Sequence, residues 1–97
     1  MGRMSNRVKN YKSGKGKVEG MTPMSAYDQQ ENCYNTLFDI RCEKKKAWGY
    51  AWYDYARYGY FDEARKELIG KPACLAKTVA LDCIDELEWL KSLERGE

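Results

Sequence analysis

The chain has 97 residues, 43% of them hydrophobic and 33% charged, with a net charge of +2 and no histidine. That length supports one small domain with a modest core and leaves little room for an enclosed pocket. No apolar run approaches the ~18 residues of a membrane span, and the start lacks the hydrophobic core of a secretory signal.

The charge is unevenly placed. Residues 1–20 carry Arg3, Arg7, Lys9, Lys12, Lys15 and Lys17 against Glu19, which is +5, so residues 21–97 total −3. Glycines at 2, 14, 16 and 20 and almost nothing to bury predict a flexible basic arm over residues 1–22. Residues 23–97 are then expected to form a single all-α domain of three to four helices. The arm reads as a contact for an acidic surface or for nucleic-acid phosphates, and equally as a solvated tail. Its GKGK segment lacks the other residues of a phosphate-binding loop. Met4 is an alternative start that would make part of the arm dispensable.

Ser25 with Asp28 forms a weak N-cap signature, and Ala26 opens the first long helix. Tyr27, Gln30, Tyr34, Leu37, Phe38, Arg41 and Cys42 then recur at helical spacing as its expected inward stripe. Glu43 precedes Lys44, Lys45 and Lys46, a cationic cluster suited to a helix end. Whether the helix stops there or runs on into Trp48 is left open by the sequence.

Trp48 to Ala64 reads WGYAWYDYARYGYFDEA and holds most of the aromatic residues. Trp48, Ala51, Trp52, Tyr55 and Gly59 recur at steps of three and four, which predicts one helix with an aromatic face. Gly59 suits the left-handed backbone that closes a helix, and Asp62 is placed to cap the next. The prediction is an αα-hairpin turning at Gly59 to Phe61. Its spacing resembles one tetratricopeptide unit, but Trp52 stands where that motif wants a small residue and no second copy follows. Trp48 and Tyr55 are assigned to the core. Tyr53, Tyr58 and Tyr60 are assigned to a contact surface, because tyrosines pointing all round a thin helix cannot share one core. Trp52 joins Tyr53 as the expected anchor.

Gly70, Lys71 and Pro72 end the hairpin. The last helix is expected from about Ala73 to Leu93, with Ala76, Val79, Ala80, Cys83, Ile84, Leu87 and Leu90 inward. Leu81 and Trp89 lie off that stripe, either wrapped by the first long helix or open to a partner. Asp82, Asp85, Glu86 and Glu88 give it an acidic back. Cys33 and Cys42, like Cys74 and Cys83, are nine residues apart, about two and a half turns, so each pair points to opposite sides. With no histidine and no CxxC, the cysteines read as small buried hydrophobes and no metal or cofactor is expected.

Catalysis needs positioned acids, bases or nucleophiles, and none is evident, so the chain reads as a non-enzyme. The basic start, the centre CYNTLFDIRCEKKKAWGYAWYDYARYGYFDEARKEL and the ending CLAKTVALDCIDELEWL together resemble the small anti-RecBCD proteins of lambdoid Salmonella phages. The resemblance implies an all-α phage protein in the host cytoplasm that binds the RecBCD helicase–nuclease through RecC. It would alter DNA-end degradation and recombination so that phage DNA survives. The family offers no catalytic residues to carry over. The residues themselves, the hairpin aromatics, the off-stripe tryptophan and the basic arm, supply the partner-binding candidates: Trp52, Tyr53, Tyr58, Tyr60, Trp89, Arg3, Arg7, Lys9 and Lys12. The Lys71–Pro72 and Thr22–Pro23 bonds flank expected helices; isomerisation at either would gate docking and make a host prolyl isomerase a second partner, with Pro72 its candidate contact, and the alternative is that each is a plain helix-boundary proline. The rival class is a small basic-armed nucleic-acid-binding accessory protein, which predicts DNA affinity that falls steeply with salt.

Overall fold

A computed structural model describes residues 6–11 and 23–94. They form six helical segments and no strand: α1 (Asn6–Lys9), α2 (Pro23–Glu43), α3 (Lys45–Trp48), α4 (Ala51–Arg57), α5 (Phe61–Ile69) and α6 (Leu75–Glu94). The all-α expectation holds, and α4 and α5 pack on each other as the expected hairpin. α6 runs along both α2 and α5 and carries most of the core.

α2 opens with Pro23 at its first position, where a missing N–H costs nothing. Its buried residues are Cys33, Thr36, Leu37 and Ile40. The Thr36 hydroxyl donates to the Asn32 carbonyl at 2.7 Å, which satisfies its polar atom within the helix. The expected stripe is therefore displaced. Of its members Leu37 is buried, whereas Tyr27, Phe38 and Cys42 are exposed and Tyr34 and Arg41 sit at the rim. Rings with polar tips and a guanidinium keep their heads wet at the edge, and the compact Cys and Ile fill the space against α6. Ser25, the expected cap, instead lies inside the helix at its third residue, because α2 begins two residues earlier at Pro23.

Between α2 and α4 the chain breaks twice, at Lys44 and at Gly49, whose φ is 68°. The left-handed glycine turns the chain so that the single turn of α3 drops Trp48 into the core. There Trp48 meets Trp52 edge-on, with centroids 5.9 Å apart and planes at 80°. This interruption corrects the predicted central stripe. Trp48, Trp52 and Ala56 are buried, while Ala51 and Tyr55 face out. Tyr55, assigned to the core, is 37% exposed.

α4 closes as expected at Gly59, with φ 89°. The Tyr60 N–H donates to the Tyr55 carbonyl at 2.8 Å and the Gly59 N–H to the Ala56 carbonyl at 3.3 Å, the paired bonds of a Schellman end. The cap of α5 differs from expectation. Tyr60, not Asp62, holds the cap position and makes no side-chain cap bond. Asp62 and Glu63 sit in the first turn, where negative charge complements the helix dipole. α5 buries Phe61, Ala64 and Leu68.

The inward face of α6 is the expected one: Ala76, Val79, Ala80, Cys83, Ile84, Leu87 and Leu90 are all buried. Leu81 is partly buried against the core. Arg65 of α5 is clamped across to α6, donating to Asp85 at 2.7 Å and Glu88 at 2.6 Å, and to Asp62 at 3.0 Å.

The structure corrects one part of the predicted arm. Residues 6–11 pack on α2 and α6: Val8 is fully buried, and the Tyr11 hydroxyl donates to Oε1 of Glu86 and lies 3.8 Å from the Cys33 sulfur. One apolar residue and one tyrosine suffice to dock a single turn over a groove already lined by both long helices. Glu86, expected on the solvated acidic back, is itself fully buried beneath Tyr11. Burial pushes the Tyr11 phenol well above its ordinary range, with the Cys83 charge and the Glu86 hydrogen bond adding to it. Arg3, Lys12, the GKGK segment, Thr22 and the Arg7 side chain lie outside what the structure describes.

Candidate partner-binding surface

Tyr58 and Tyr60 flank Gly59 at the hairpin tip and are 76% and 60% exposed. The Schellman bonds fix the backbone beneath both rings, so neither needs much ordering to make a contact. Both stand exposed, as expected of a contact surface. Trp52 does not. It is fully buried, with its indole Nε1 lacking a partner, so it is a core residue and no anchor. Phase is the cause: Gly49 resets the register, and Trp52 falls on the inward side of α4.

Tyr53 is half-buried. Its ring stands edge-on to Trp52 at 6.0 Å and to Phe38 at 6.2 Å, so part of it supports the core. Trp89 is also half-buried, and lies on α6, away from the hairpin tip in sequence and element. Lys9 is exposed on α1. Pro72 is exposed in the α5–α6 connection, which Lys77 braces by donating to the carbonyls of Ile69 at 3.2 Å and Lys71 at 2.9 Å. Tyr60 precedes and Pro72 follows the nine residues of α5, so the two sites stand on the order of 13 Å apart along its axis. The expected contacts are thus not gathered into one site: Tyr58 and Tyr60 share the hairpin tip, while Pro72, Trp89 and Lys9 lie on other elements.

The sequence reading missed a second aromatic group. Phe38, 46% exposed, and Tyr50, 42% exposed, gather round the guanidinium of Arg41. The spacing of Phe38 and Arg41 on one helix was a readable signal, but Tyr50 joins them only because the chain breaks at Gly49. A separate open cleft of about 300 Å³ is lined by Tyr27, Gln30, Glu31, Tyr34, Asn35 and Arg57. Arg57 lies over the Tyr34 ring at 5.4 Å.

Cys33 and Cys83 are buried, Cys74 is half-buried and Cys42 is exposed. Cys33 and Cys42 do point to opposite sides of α2. Cys83 meets Cys33 across the α2–α6 contact, and burial pushes its thiol far above the ordinary range, with the Cys33 hydrogen bond adding to this. Such a thiol is a poor nucleophile. Among the described residues no group of His, Cys, Asp and Glu could hold a metal ion, and no helix is long and apolar enough to cross a membrane.

On the acidic back Asp82 is exposed, and partial desolvation, with the charges of Asp85 and Glu86, raises its carboxyl only as far as solvent screening allows, so its effect on stability is small. A carboxyl that protonates more readily in the folded chain weakens the fold while it is ionised. The weakening is full at neutral pH and fades as pH falls through the raised value towards the unfolded one. Asp82→Asn should therefore raise the thermal midpoint at neutral pH and leave it unchanged at about pH 3, below the ordinary carboxylate range. Melting curves at the two pH values check this.

No family model, no curated protein and no solved structure matches the chain.

Proposed function

We propose that this protein acts by binding, without catalysis of its own, and that its target is the host RecBCD helicase–nuclease, engaged through RecC in the host cytoplasm. The supporting observation is the pair of exposed tyrosines held on a rigid turn at one end of the hairpin. Burying large rings from a pre-ordered backbone is how small proteins concentrate binding energy in a few residues. Binding would change how the nuclease handles linear DNA ends, and phage DNA would persist for recombination. The exposed Lys71–Pro72 bond is proposed as the contact for a host prolyl isomerase.

The test is capture from nuclease-treated bacterial lysate with the purified chain. Stoichiometric recovery of the three RecBCD subunits is expected. Tyr58→Ala with Tyr60→Ala should weaken that complex about a hundredfold, from roughly 1–2 kcal/mol per ring, and shift stability by no more than about 0.5 kcal/mol per site because both rings are exposed. Pro72→Ala should abolish capture of an isomerase alone. If the nuclease is not captured, and the chain instead binds DNA with a steep salt dependence, the nucleic-acid-binding alternative replaces this reading.

A further inference from the structure

Arg41 is set in a way that differs from the other structured arginine clamp. Its guanidinium carbon lies 4.0 Å from the centroid of Tyr50, 5.2 Å from Tyr53 and 5.5 Å from Phe38. Three rings thus hold one cation. Nε is buried and has no acceptor, and the guanidinium makes no ion pair among the described residues. Arg65, by contrast, engages three carboxylates. A stacked guanidinium keeps its edge free, and that edge carries the parallel donors that match a carboxylate.

The surroundings favour an anionic visitor. Residues 41–46 carry Arg41, Lys44, Lys45 and Lys46 against the single carboxylate of Glu43. Lys45 and Lys46 are exposed, and Lys44 lies over the Trp48 ring at 5.5 Å. The exposed parts of Phe38 and Tyr50 supply apolar area beside the charge, the mixture found where a protein side chain docks.

We propose that Arg41, stacked among Tyr50, Tyr53 and Phe38, is the recognition site for an aspartate or glutamate carboxylate on an acidic segment of the protein partner. This rests on the binding reading above and gives the partner's contacting surface its chemistry. A carboxylate is favoured over single-stranded nucleic acid by the rings themselves. Base stacking needs an open ring face, and Arg41 already lies against Tyr50 at stacking distance. A docked carboxylate would pair with the guanidinium, which makes no ion pair among the described residues.

The experiment measures RecBCD affinity for the full chain and for Arg41→Gln and Arg41→Lys, with circular dichroism of each as a check on folding. Arg41→Gln is expected to weaken the complex about tenfold or more, the loss of a charge-assisted pair at an interface. Arg41→Lys keeps the charge but not the stacked fork and should recover only part of the affinity. A second measurement uses the unmodified chain, so it does not depend on variants folding. Poly-glutamate should compete with RecBCD, and an oligo-dT strand at equal charge should not. Wild-type binding with equal affinity for Arg41→Gln, or no competition by poly-glutamate, overturns this inference and leaves the binding reading standing. Competition by oligo-dT that Arg41→Gln abolishes overturns it in favour of nucleic acid. Failure of the unmodified chain to bind RecBCD sinks the binding reading and takes this inference with it.

Discussion

Trp52→Ala is expected to lower stability by about 3–5 kcal/mol, the cost of removing a large ring from a close-packed core. Trp52 is fully buried, stacked edge-on between Trp48 and Tyr53, so no neighbour can move in to fill its volume cheaply. Small domains hold only about 5–15 kcal/mol in total, so this variant should show a strongly lowered melting point or fail to fold. Trp52→Phe should cost much less. It keeps a ring in place and removes an indole N–H that is buried without an acceptor, itself a penalty of about 1–3 kcal/mol. Chemical denaturation of the two variants decides the matter. Equal losses would mean that the indole nitrogen has a partner in solution. Lost partner binding in Trp52→Ala would report unfolding, which is why the affinity test uses the exposed Tyr58 and Tyr60.

Tyr11→Phe is the second large effect, expected at about 1–3 kcal/mol. The Tyr11 hydroxyl donates to Oε1 of Glu86, a fully buried residue whose Oε2 has no partner. Deleting the hydroxyl strips the buried carboxyl of the donor at Oε1 as well. The loss should be coupled to residue 86. In the double variant Tyr11→Phe with Glu86→Leu both polar groups are gone, and stability should return most of the way, because an apolar pair of similar shape needs no hydrogen bond. A double-mutant cycle by denaturant titration reads the coupling. Additive losses would mean that the two side chains do not depend on each other.

How much of this was readable beforehand follows from how each element is stabilised. α6 was legible residue by residue because its inward face is wholly apolar and repeats without interruption, so periodicity alone sets its phase. The hairpin turn was legible because Gly59 meets a backbone demand that few other residues meet. α2 was legible as a helix but not in phase. Its aromatic stripe and its true core stripe are neighbours, and only contact with α6 selects between Tyr34 with Phe38 and Cys33 with Ile40. Gly49 carried no signal in the predicted stripe, yet its positive-φ backbone splits the central helix and leaves Trp52 inward and Tyr55 outward. The exposure of Tyr58 and Tyr60 was legible from their place beside a turn. Arg41 was misplaced because two of its three rings, Tyr50 and Tyr53, come from beyond two chain breaks. The buried Glu86 was illegible, since nothing in its own helix distinguishes it from Asp82, Asp85 and Glu88; its burial is imposed by a tyrosine 75 positions earlier.

The docking of Val8 and Tyr11 changes how deletion experiments on this chain must be designed. Cutting away the first twenty-odd residues to ask what their positive charge contributes would also uncover the α2–α6 groove and leave Glu86 without its donor. A truncated chain would report lost packing and lost charge as one number. Exchanging Lys9 and the cations on either side for glutamine, with Val8 and Tyr11 kept, separates the two, because the charge then varies while the lid on the groove stays in place.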